Sequence, residues 1–562
     1  LHLLGGHTQA VACARLTRED FELAKARLAY IPIVAGVPNL TEVDGTPCNI
    51  GPLHPKSTFR YIEEGNADVY GSFQGFRAAN KSKVTKTLIH QKMVEAGYKV
   101  KVGAPVMKSY QPWRHAHKDI VQQKFVIEQS RLNDCVEAFV EDIKAGLSPD
   151  DFAEMKILDN MATVNGLPGV KYIDKMNRST SMGFPWRHSK RQELEELGEF
   201  DIWSDAVDFS PEFHARVDDL IAKYKRGERA MPVFIEHLKD EVLPLRKIID
   251  QKTRVFSGCP ADFAFVVRKY LLATVRVIQK NRFVFECAPG TNATSLEWCE
   301  IRHYLTKHGL GRLIAGDYSK FDKKMNAIMI LAAFDVLYRI LKHAGWTDEN
   351  LLVIVAMGFD IAFPLVDANG DVVQFWGSNP SGHPLTVIIN SIVNSLYVRY
   401  AWSLVGNDLK LFKLLVALMT YGDDNTMGVS ERVNNFDHTV LQRELAKIGV
   451  VYTMADKEAE SVPFLHIDQI SFLKRTWTYL PEVGSHVAKL EHDSIEKGLL
   501  YHILSKVVCR EQQAVDVMGN ALREYFYYGR ETFDERRKLF EDVVKQEQLQ
   551  DYFEGFPTFD GL

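Results

Sequence analysis

Two short apolar runs in the second half of the chain predict a β-hairpin. Residues 414–420 are apolar and end in turn chemistry, which is typical of a buried strand. Residues 425–429 can return as a second strand, so that Tyr421-Gly422-Asp423-Asp424 forms the tip. Upstream, the apolar residues 313–316 predict another short strand, which ends at Asp317. The pattern therefore brings carboxylates to the ends of two strands.

Other segments predict helices. A glycine-containing turn at 379–383 runs into an apolar helix with Pro384 near its first turn. On that helix Thr386 and Asn390 are four positions apart, so both side chains face the same way. In the C-terminal tail, residues 492–504 have helical patterning.

The adjacent carboxylates of Asp423 and Asp424 are costly at a tight turn. They ionise together comfortably only if a cation lies between them. Carboxylate-bound hard divalent metals suit phosphoryl transfer, and Mg²⁺ is the expected ion. Asp317 can share this metal, whereas Asp322 is better placed to meet another part of a ligand. Each pair also has an ordinary explanation, because Gly-Asp turns and surface Asp pairs are common.

The polar pair on the predicted helix has two interpretations. Thr386 and Asn390 inside an apolar helix are usually explained by a buried hydrogen bond. The alternative is that Asn390, together with Ser381 in the preceding turn, binds a ligand hydroxyl.

These segments resemble a known family. Asp317-x4-Asp322, Ser381-Gly382-x3-Thr386-x3-Asn390 and Tyr421-Gly422-Asp423-Asp424 are similar to motifs A, B and C of viral RNA-dependent RNA polymerases, especially the picornavirus-like ones. Further segments in the expected order resemble motifs G, F, D and E: residues 180–185, 239–254, 454–457 and 472–475. Residues 421–425 and 491–494 are similar to dicistrovirus and marnavirus relatives. Seven motifs in order are highly specific, although no single one is.

The resemblance implies a role for each matched residue. It implies metal binding by Asp317 and Asp423, with help from Asp424 and the Tyr318 carbonyl, and a general-acid role for Lys457. The residues expected to bind the nucleotide are Lys239, Glu241, Arg246, Lys247, Lys252, Arg254, Asp322, Ser381, Gly382, Thr386 and Asn390. The residues expected to contact RNA are Thr180, Ser181, Gly183, Pro185, Phe472, Leu473, Lys474 and Arg475.

The implied fold is an α+β closed right-hand polymerase with fingers, a palm (an antiparallel sheet flanked by helices) and a helical thumb. The expected divisions are an N-terminal extension at 1–55, fingers at 56–273, a palm at 274–478 with a finger insertion at about 361–379, and a thumb at 479–562. Residues 1–30 resemble the end of the chymotrypsin-like cysteine protease that precedes the polymerase in these polyproteins. Since residue 1 is Leu, the chain is expected to be cut from a longer precursor.

The implied function is template-directed RNA synthesis from ribonucleoside triphosphates for a positive-strand RNA virus, with Mg²⁺ as cofactor and Mn²⁺ able to substitute. The implied partners are template and product RNA, nucleoside triphosphates, a genome-linked protein primer and other viral replication proteins. The implied location is the host-cell cytoplasm, at membrane-associated replication complexes and without direct membrane insertion.

Composition and charge change this picture little. The chain has 562 residues, of which 46% are hydrophobic and 25% charged, as is ordinary for a soluble enzyme. No apolar run is long enough for a transmembrane helix, and the cysteines show no C-x-x-C pairing, which favours reduced thiols over disulfides or a zinc site. The net charge of −5 argues mildly against nucleic-acid binding. However, residues 77–101 and 171–191 are strongly basic and predict a basic channel, although such stretches are often only solvated faces.

Two alternatives remain at this point. Reverse transcriptases share the palm and the Y-x-D-D turn but place a bulky aromatic gate where this chain has Asp322. An inactive, polymerase-shaped RNA-binding scaffold predicts loss of the carboxylates or of the basic residues at 239–254, and both sets are present.

Overall fold

The computed structural model describes residues 40–62, 65, 67–75 and 80–562. The predicted protease-like segment at 1–30 and Arg77, the first basic residue of the stretch 77–101, lie outside the described residues.

The secondary structure mixes helices and strands along the whole described chain. In chain order the strands are β1 (Ile50–Gly51), β2 (Ala67–Phe73), β3 (Val84–Lys86), β4 (Val102–Gly103), β5 (Glu195–Phe200), β6 (Trp203–Asp208), β7 (Val233–Leu238), β8 (Leu243–Pro244), β9 (Val255–Gly258), β10 (Leu313–Tyr318), β11 (Leu365–Ala368), β12 (Asp371–Phe375), β13 (Val416–Tyr421), β14 (Asp424–Val429), β15 (Tyr452–Thr453), β16 (Arg475–Leu480), β17 (Ser485–Leu490) and β18 (Tyr501–Ile503). The helices are α1 (His90–Glu95), α2 (Gln111–Val121), α3 (Gln129–Gly146), α4 (Pro149–Ala153), α5 (Asn160–Asn165), α6 (Pro211–Lys225), α7 (Leu245–Ile249), α8 (Ala261–Lys280), α9 (Arg282–Phe285), α10 (Glu297–Leu305), α11 (Ala327–His343), α12 (Asp348–Ala362), α13 (Thr386–Leu404), α14 (Phe412–Leu415), α15 (His438–Lys447), α16 (His492–Leu500), α17 (Arg510–Tyr525) and α18 (Arg530–Gln546).

A four-stranded antiparallel sheet with the order β13-β14-β10-β15 forms the centre of the molecule. Tyr421 pairs with Asp424 across the β13–β14 hairpin, and Gly316 of β10 pairs with Asn425. The predicted hairpin is therefore confirmed. Its first strand starts two residues later than expected, because α14 is a helical turn that leaves Leu414 57% exposed.

Helix α13 is the main support of this sheet. It packs against β13 and against α3, α11 and α15, and its residues from Ile388 to Trp402 are buried. The predicted helix start is confirmed, since Pro384 lies two residues before its first residue, Thr386.

A second sheet brings together strands that are far apart in sequence. Its order is β1-β2-β12-β11-β7-β9, so strands β11 and β12 join strands from the first half of the chain. Gly258, at the end of β9, forms a bridge with Gly382, which directly connects this sheet to the turn before α13.

The N-terminal and C-terminal parts of the described chain pack against each other. Strand β18 pairs with β3, and the hydroxyl groups of Tyr98 and Tyr525 lie 2.7 Å apart. Ile89 and Met93 of the first part share one apolar core with Leu499 and other residues of α16 to α18. The predicted helix at 492–504 ends at Leu500 because the next residues pair with β3 as a strand. In the described part of the chain, no helix is long and apolar enough to span a bilayer.

A buried ionic network lies beneath the central hairpin. Arg399 of α13 is fully buried, and its guanidinium Nη1 donates to Glu286 Oε1 at 2.6 Å. The backbone carbonyl of Glu286 in turn accepts hydrogen bonds from the amide and the hydroxyl of Thr420 in β13. Asp142 Oδ2 and Lys413 Nζ complete the network. The network thus connects α3, α13 and the hairpin strand.

We expect Arg399→Met to destabilise the protein by about 3–5 kcal/mol, because it leaves the buried carboxylate of Glu286 without its main partner. The measurement is the unfolding free energy from denaturant titration, with the melting temperature alongside. Arg226→Met is the control, since Arg226 is solvent-exposed and pairs with Glu228 only at the surface. Equal losses in both variants would contradict the stabilising role of the buried network.

Candidate catalytic site

The three carboxylates among the metal-binding candidates lie at one end of the central sheet. Asp317 is the second-to-last residue of β10, and its neighbour Gly316 pairs with Asn425, the residue after Asp424. Asp423 lies at the tip of the hairpin, after Gly422, whose φ of +59° suits a residue without a Cβ. Two elements distant in sequence therefore bring these side chains to one sheet edge, as the sequence predicts.

Two side chains of α13 hold the hairpin tip. The amide group of Asn394 donates to the carbonyl oxygens of Gly422 at 3.0 Å and Asp424 at 3.1 Å, and its Oδ1 accepts from the Tyr318 hydroxyl. The hydroxyl of Ser391 accepts from the Gly422 amide at 2.9 Å. Neither residue was among the sequence candidates. The sequence does contain a signal for Asn394, because this residue continues the four-residue spacing of Thr386 and Asn390.

Burial and the neighbouring carboxylates raise the pKa of Asp423 and of Asp424. For Asp424 burial is the largest cause, Asp423 and Asp317 add to it, and its pKa rises to about 7. Although part of the Asp423 side chain reaches solvent, its pKa is also raised, by burial first and then by Asp322 and Asp317. In the described ranges, no group of three or more His, Cys, Asp or Glu side chains is arranged closely enough to hold a metal ion. The oxygen donors and their mutual repulsion nevertheless fit a hard divalent cation.

A turn before β16 holds Asp424 from the other side. The backbone amide of Leu473 donates to Asp424 Oδ2 at 2.7 Å. Leu473 and Lys474 both have positive φ angles, 57° and 62°, which non-glycine residues rarely adopt. Of the expected RNA contacts in this segment, Lys474 is exposed, whereas Phe472 is fully buried and stacks on Trp298.

Arg475 is the fourth expected RNA contact of that segment. It forms a bidentate pair with Glu524 of α17, with N–O distances of 2.7 and 2.9 Å. Its guanidinium is thus already engaged, and it connects β16 to the C-terminal helices.

The general-acid candidate is next to the carboxylates. Lys457 Nζ lies 3.6 Å from Asp317 Oδ2, and its side chain is 60% exposed. A partly exposed ammonium in this position can reach a ligand held at the sheet edge.

The basic candidates at 239–254 divide into two groups. Glu241 accepts two bonds from Arg254, at 2.5 and 2.6 Å, and lies 3.4 Å from Lys239 Nζ. The bond to Glu241 raises the pKa of Arg254, and the charges of Asp322 and Asp423 add to it, which places this guanidinium in the field of the carboxylates. Burial, and then the neighbouring charges of Arg254 and Lys457, lower the pKa of Lys247.

The other two basic candidates are solvent-exposed. Arg246 lies in α7, and its side chain is 84% exposed. Its Nε pairs at 3.0 Å with Oδ2 of Asp250, which lies four residues later, just after the helix. The side chain of Lys252 is exposed to solvent. The structure does not bring Arg246 onto the carboxylate cluster.

Asn390, the last of the motif B candidates, is hydrogen-bonded to Asp322. The amide group of Asn390 donates to Asp322 Oδ1 at 2.7 Å, and Asn390 Oδ1 accepts from Asn379 at 2.8 Å. Burial raises the pKa of Asp322, while Lys323, the Asn390 bond and Arg254 oppose this rise. Asn379, which the sequence candidates did not include, is therefore part of the site.

The turn before α13 is fixed by its own contacts. The Thr386 hydroxyl donates to the Pro380 carbonyl at 2.8 Å, so it orders the turn. Ser381 Oγ accepts from the Ser257 amide at 3.1 Å. A Cβ at Gly382 would lie 1.9 Å from the Ser257 carbonyl oxygen, so only glycine fits there.

The motif G candidates lie along a cavity of about 1340 Å³ that continues from this turn. Thr180, Ser181 and Gly183 line it, whereas Pro185 is buried. Lys190, which was not a candidate, donates to the Thr180 hydroxyl at 2.6 Å and to the Ser181 carbonyl at 3.1 Å. Other cavity-lining basic residues include Lys81, Lys83, Lys108 and Arg268. Residues of both predicted basic stretches thus line one cavity.

Comparisons with known proteins agree with this geometry. The family model "Viral RNA-dependent RNA polymerase" matches residues 132–541. The chain is 30% identical over 419 residues to the replicase polyprotein of Cricket paralysis virus, covering 72% of this chain and 22% of the polyprotein. It is 29% identical over 460 residues to the RNA1 polyprotein of Andean potato mottle virus, covering 78% of this chain and 59% of that protein.

A solved structure shows the same fold. The "Sicinivirus 3Dpol RNA dependent RNA polymerase" superposes with a TM-score of 0.70 at 16% identity, covering 89% of this chain and 98% of that chain. The expected α+β right-hand fold and the picornavirus-like resemblance are confirmed. The predicted domain boundaries and individual site roles remain predictions.

We expect Asn394→Leu to reduce catalytic turnover about tenfold or more, because the carbonyls of Gly422 and Asp424 lose their shared donor and the carboxylates shift. The measurement is turnover under saturating substrate. Ser395→Ala is the matched control on the same helix, since the buried Ser395 hydroxyl has no hydrogen-bond partner among the described residues. Full activity in Asn394→Leu would show that the hairpin tip does not depend on this contact.

Proposed function

The chain belongs to the viral RNA-dependent RNA polymerase family, and we propose that it copies an RNA template into RNA during replication of a positive-strand RNA virus. The observation that carries the proposal is the meeting of Asp317, Asp423 and Asp424 with the cations of Arg254, Lys247 and Lys457 at one sheet edge. The chain spans 22% of the Cricket paralysis virus polyprotein, so the activities of that longer protein are not assigned to it.

In the proposed reaction a primer 3′-hydroxyl attacks the α-phosphorus of a nucleoside triphosphate. A new P–O bond forms, the bond to the β-phosphate oxygen breaks, and pyrophosphate leaves. Family membership implies divalent metal ions, and we propose Mg²⁺, with Mn²⁺ able to substitute. Asp317 and Asp423 would hold it, with Asp424 and the Tyr318 carbonyl assisting. When bound, such ions stabilise the negative charge on the attacking and leaving oxygens.

The basic side chains neutralise the triphosphate. Arg254, oriented by its two bonds to Glu241, presents a fixed guanidinium beside the carboxylates, and Lys247 and Lys239 add charge around it. Lys252 and Arg246 lie further out, where their exposed side chains can attract an incoming anion. Lys457 is placed to donate a proton to the departing pyrophosphate.

The Asp322–Asn390 pair is the proposed reader of the ribose. A 2′-hydroxyl both donates and accepts hydrogen bonds, and this pair offers an acceptor and a donor side by side. A deoxyribose would leave the half-buried Asp322 and the buried Asn390 partly unpaired, which costs binding energy. No observation favours the reverse transcriptase, which would carry a bulky aromatic residue where this chain has Asp322. None favours the inactive scaffold either, because the acidic residues and the cations are both present.

The cavity lined by Lys81, Lys190 and their neighbours is the proposed path of the template RNA. Phosphate contacts from lysine and arginine supply sequence-independent affinity, as a general template requires. We further propose product RNA, a genome-linked protein primer and other replication proteins as partners. The proposed site of action is the host-cell cytoplasm, at membrane-associated replication complexes.

Primer extension on a defined RNA template tests the function. The protein should incorporate ribonucleotides, whereas Asp423→Asn should lower turnover about a thousandfold or more, as expected for loss of a metal ligand. RNA binding by fluorescence anisotropy should be retained in that variant. Asp468→Asn, at an exposed carboxylate outside the site, is the control. No incorporation by the unmodified protein, or turnover by Asp423→Asn, would refute the proposal.

Asn390→Ala should reduce discrimination between ribo- and deoxyribonucleotides about tenfold, more than it slows ribonucleotide incorporation, because Asp322 loses its donor. The measurement is kcat/KM for ATP and dATP on the same primer–template. Asn407→Ala is the control, since Asn407 forms an amide pair with Asn435 away from the site. Unchanged selectivity in Asn390→Ala would mean that this pair does not read the sugar.

A further inference from the structure

The turn that carries Asp322 contains a conformation that its sequence does not explain locally. Lys320, between the end of β10 and Asp322, has a φ of +53°. This left-handed region is disfavoured for a residue with a Cβ, and glycine is the ordinary choice. A lysine in this backbone conformation indicates that a contact of its side chain favours the conformation.

That contact is an ion pair to another part of the fold. Lys320 Nζ lies 2.8 Å from Asp119 Oδ1, and Asp119 is near the end of α2. The Lys320 side chain is 46% exposed and that of Asp119 is 22% exposed. A pair so open to solvent adds little to stability, so stability does not account for the strained lysine.

A second lysine fixes the turn on the other side of Asp322. Lys323 Nζ donates to the carbonyl oxygen of Val255 at 2.9 Å. Val255 begins β9 and directly follows Arg254, the guanidinium held by Glu241. The residues flanking Asp322 are thus attached to α2 and to β9, while its carboxylate is bonded to Asn390 of α13.

We propose that the Lys320–Asp119 ion pair is a positioning contact that sets Asp322 for sugar selection, and that Asp119 of α2 is a specificity-determining residue. This inference rests on the proposed function, since it takes Asp322 as the reader of the ribose. The pair acts through the backbone of the turn and touches neither the nucleotide nor the carboxylates at the sheet edge.

The test is a double-mutant cycle read as the ratio of kcat/KM for ATP to that for dATP. The ratio falls about fivefold or more in Asp119→Asn and in Lys320→Met. A fivefold change is at the lower end of the range found for energetic coupling between sites. In the double variant the ratio falls no further than in the single variants, because each single substitution already removes the same contact. Lys320→Arg, which keeps the charge, retains most of the discrimination. Because the ratio is taken within one enzyme, changes in RNA affinity cancel.

Two more variants distinguish the ion pair from backbone strain and from the loss of surface charge. Lys320→Gly suits the left-handed backbone but lacks the ammonium, so its ratio falls as in Lys320→Met. Lys223→Met, which removes a surface pair with Asp219, leaves the ratio unchanged. Melting temperatures stay the same in every variant except Lys320→Gly, which melts slightly higher because glycine adopts the left-handed backbone without strain.

Three results would overturn the positioning role: an unchanged ratio in the single variants, additive losses in the double variant, or full discrimination in Lys320→Gly. A failure of the proposed function looks different. It would appear as no incorporation by the unmodified protein, or as normal selectivity in Asn390→Ala.

Discussion

Repulsion among carboxylates at one end of the central sheet is the constraint on which the surrounding structure depends. Asp317, Asp322 and Asp423 lie close enough that the charges of the first two raise the pKa of the third, and Asp424 lies half-buried beside them. Like charges in a region of reduced dielectric would move apart or take up protons unless other groups hold them. The contacts around the site hold these side chains in place.

Neutral donors carry much of this restraint. The amide of Leu473 and the side chains of Ser391 and Asn394 fix Asp424 and the hairpin tip without adding positive charge. Positive groups also lie close by: Lys457 Nζ is 3.6 Å from Asp317 Oδ2, and Arg254 is bound to Glu241. Because the pKa of Asp423 is still raised, these cations offset only part of the negative charge. Oxygen donors in this state suit a divalent cation. The two left-handed residues at 473 and 474 are a cost of this arrangement.

Local patterns explain why much of this site is predictable from sequence. The hairpin follows from an apolar strand and a glycine turn, and the spacing of Asp317 and Asp322 is a property of one short segment. The contacts that fix these elements are different, because their partners are far apart in sequence. The Glu286 carbonyl bonds to Thr420, and Arg475 pairs with Glu524. Burial is equally invisible in a short motif: Phe472 resembles an RNA contact but packs into the core. Arg246 lies in the same motif as Arg254, but its side chain is solvent-exposed and forms an ion pair with Asp250.

The close contact between β9 and the turn before α13 connects the residue proposed to bind the triphosphate to the pair proposed to bind the ribose. At Gly382 the two backbones approach so closely that a Cβ would overlap the Ser257 carbonyl, and Ser381 accepts from the same residue's amide. Arg254 directly precedes β9, and Asn390 lies on α13 just after the turn. Protein interiors transmit displacement because they are close-packed, so a shift of β9 has to move the turn as well. The guanidinium proposed to bind the phosphates and the amide proposed to bind the ribose therefore keep a fixed position relative to each other.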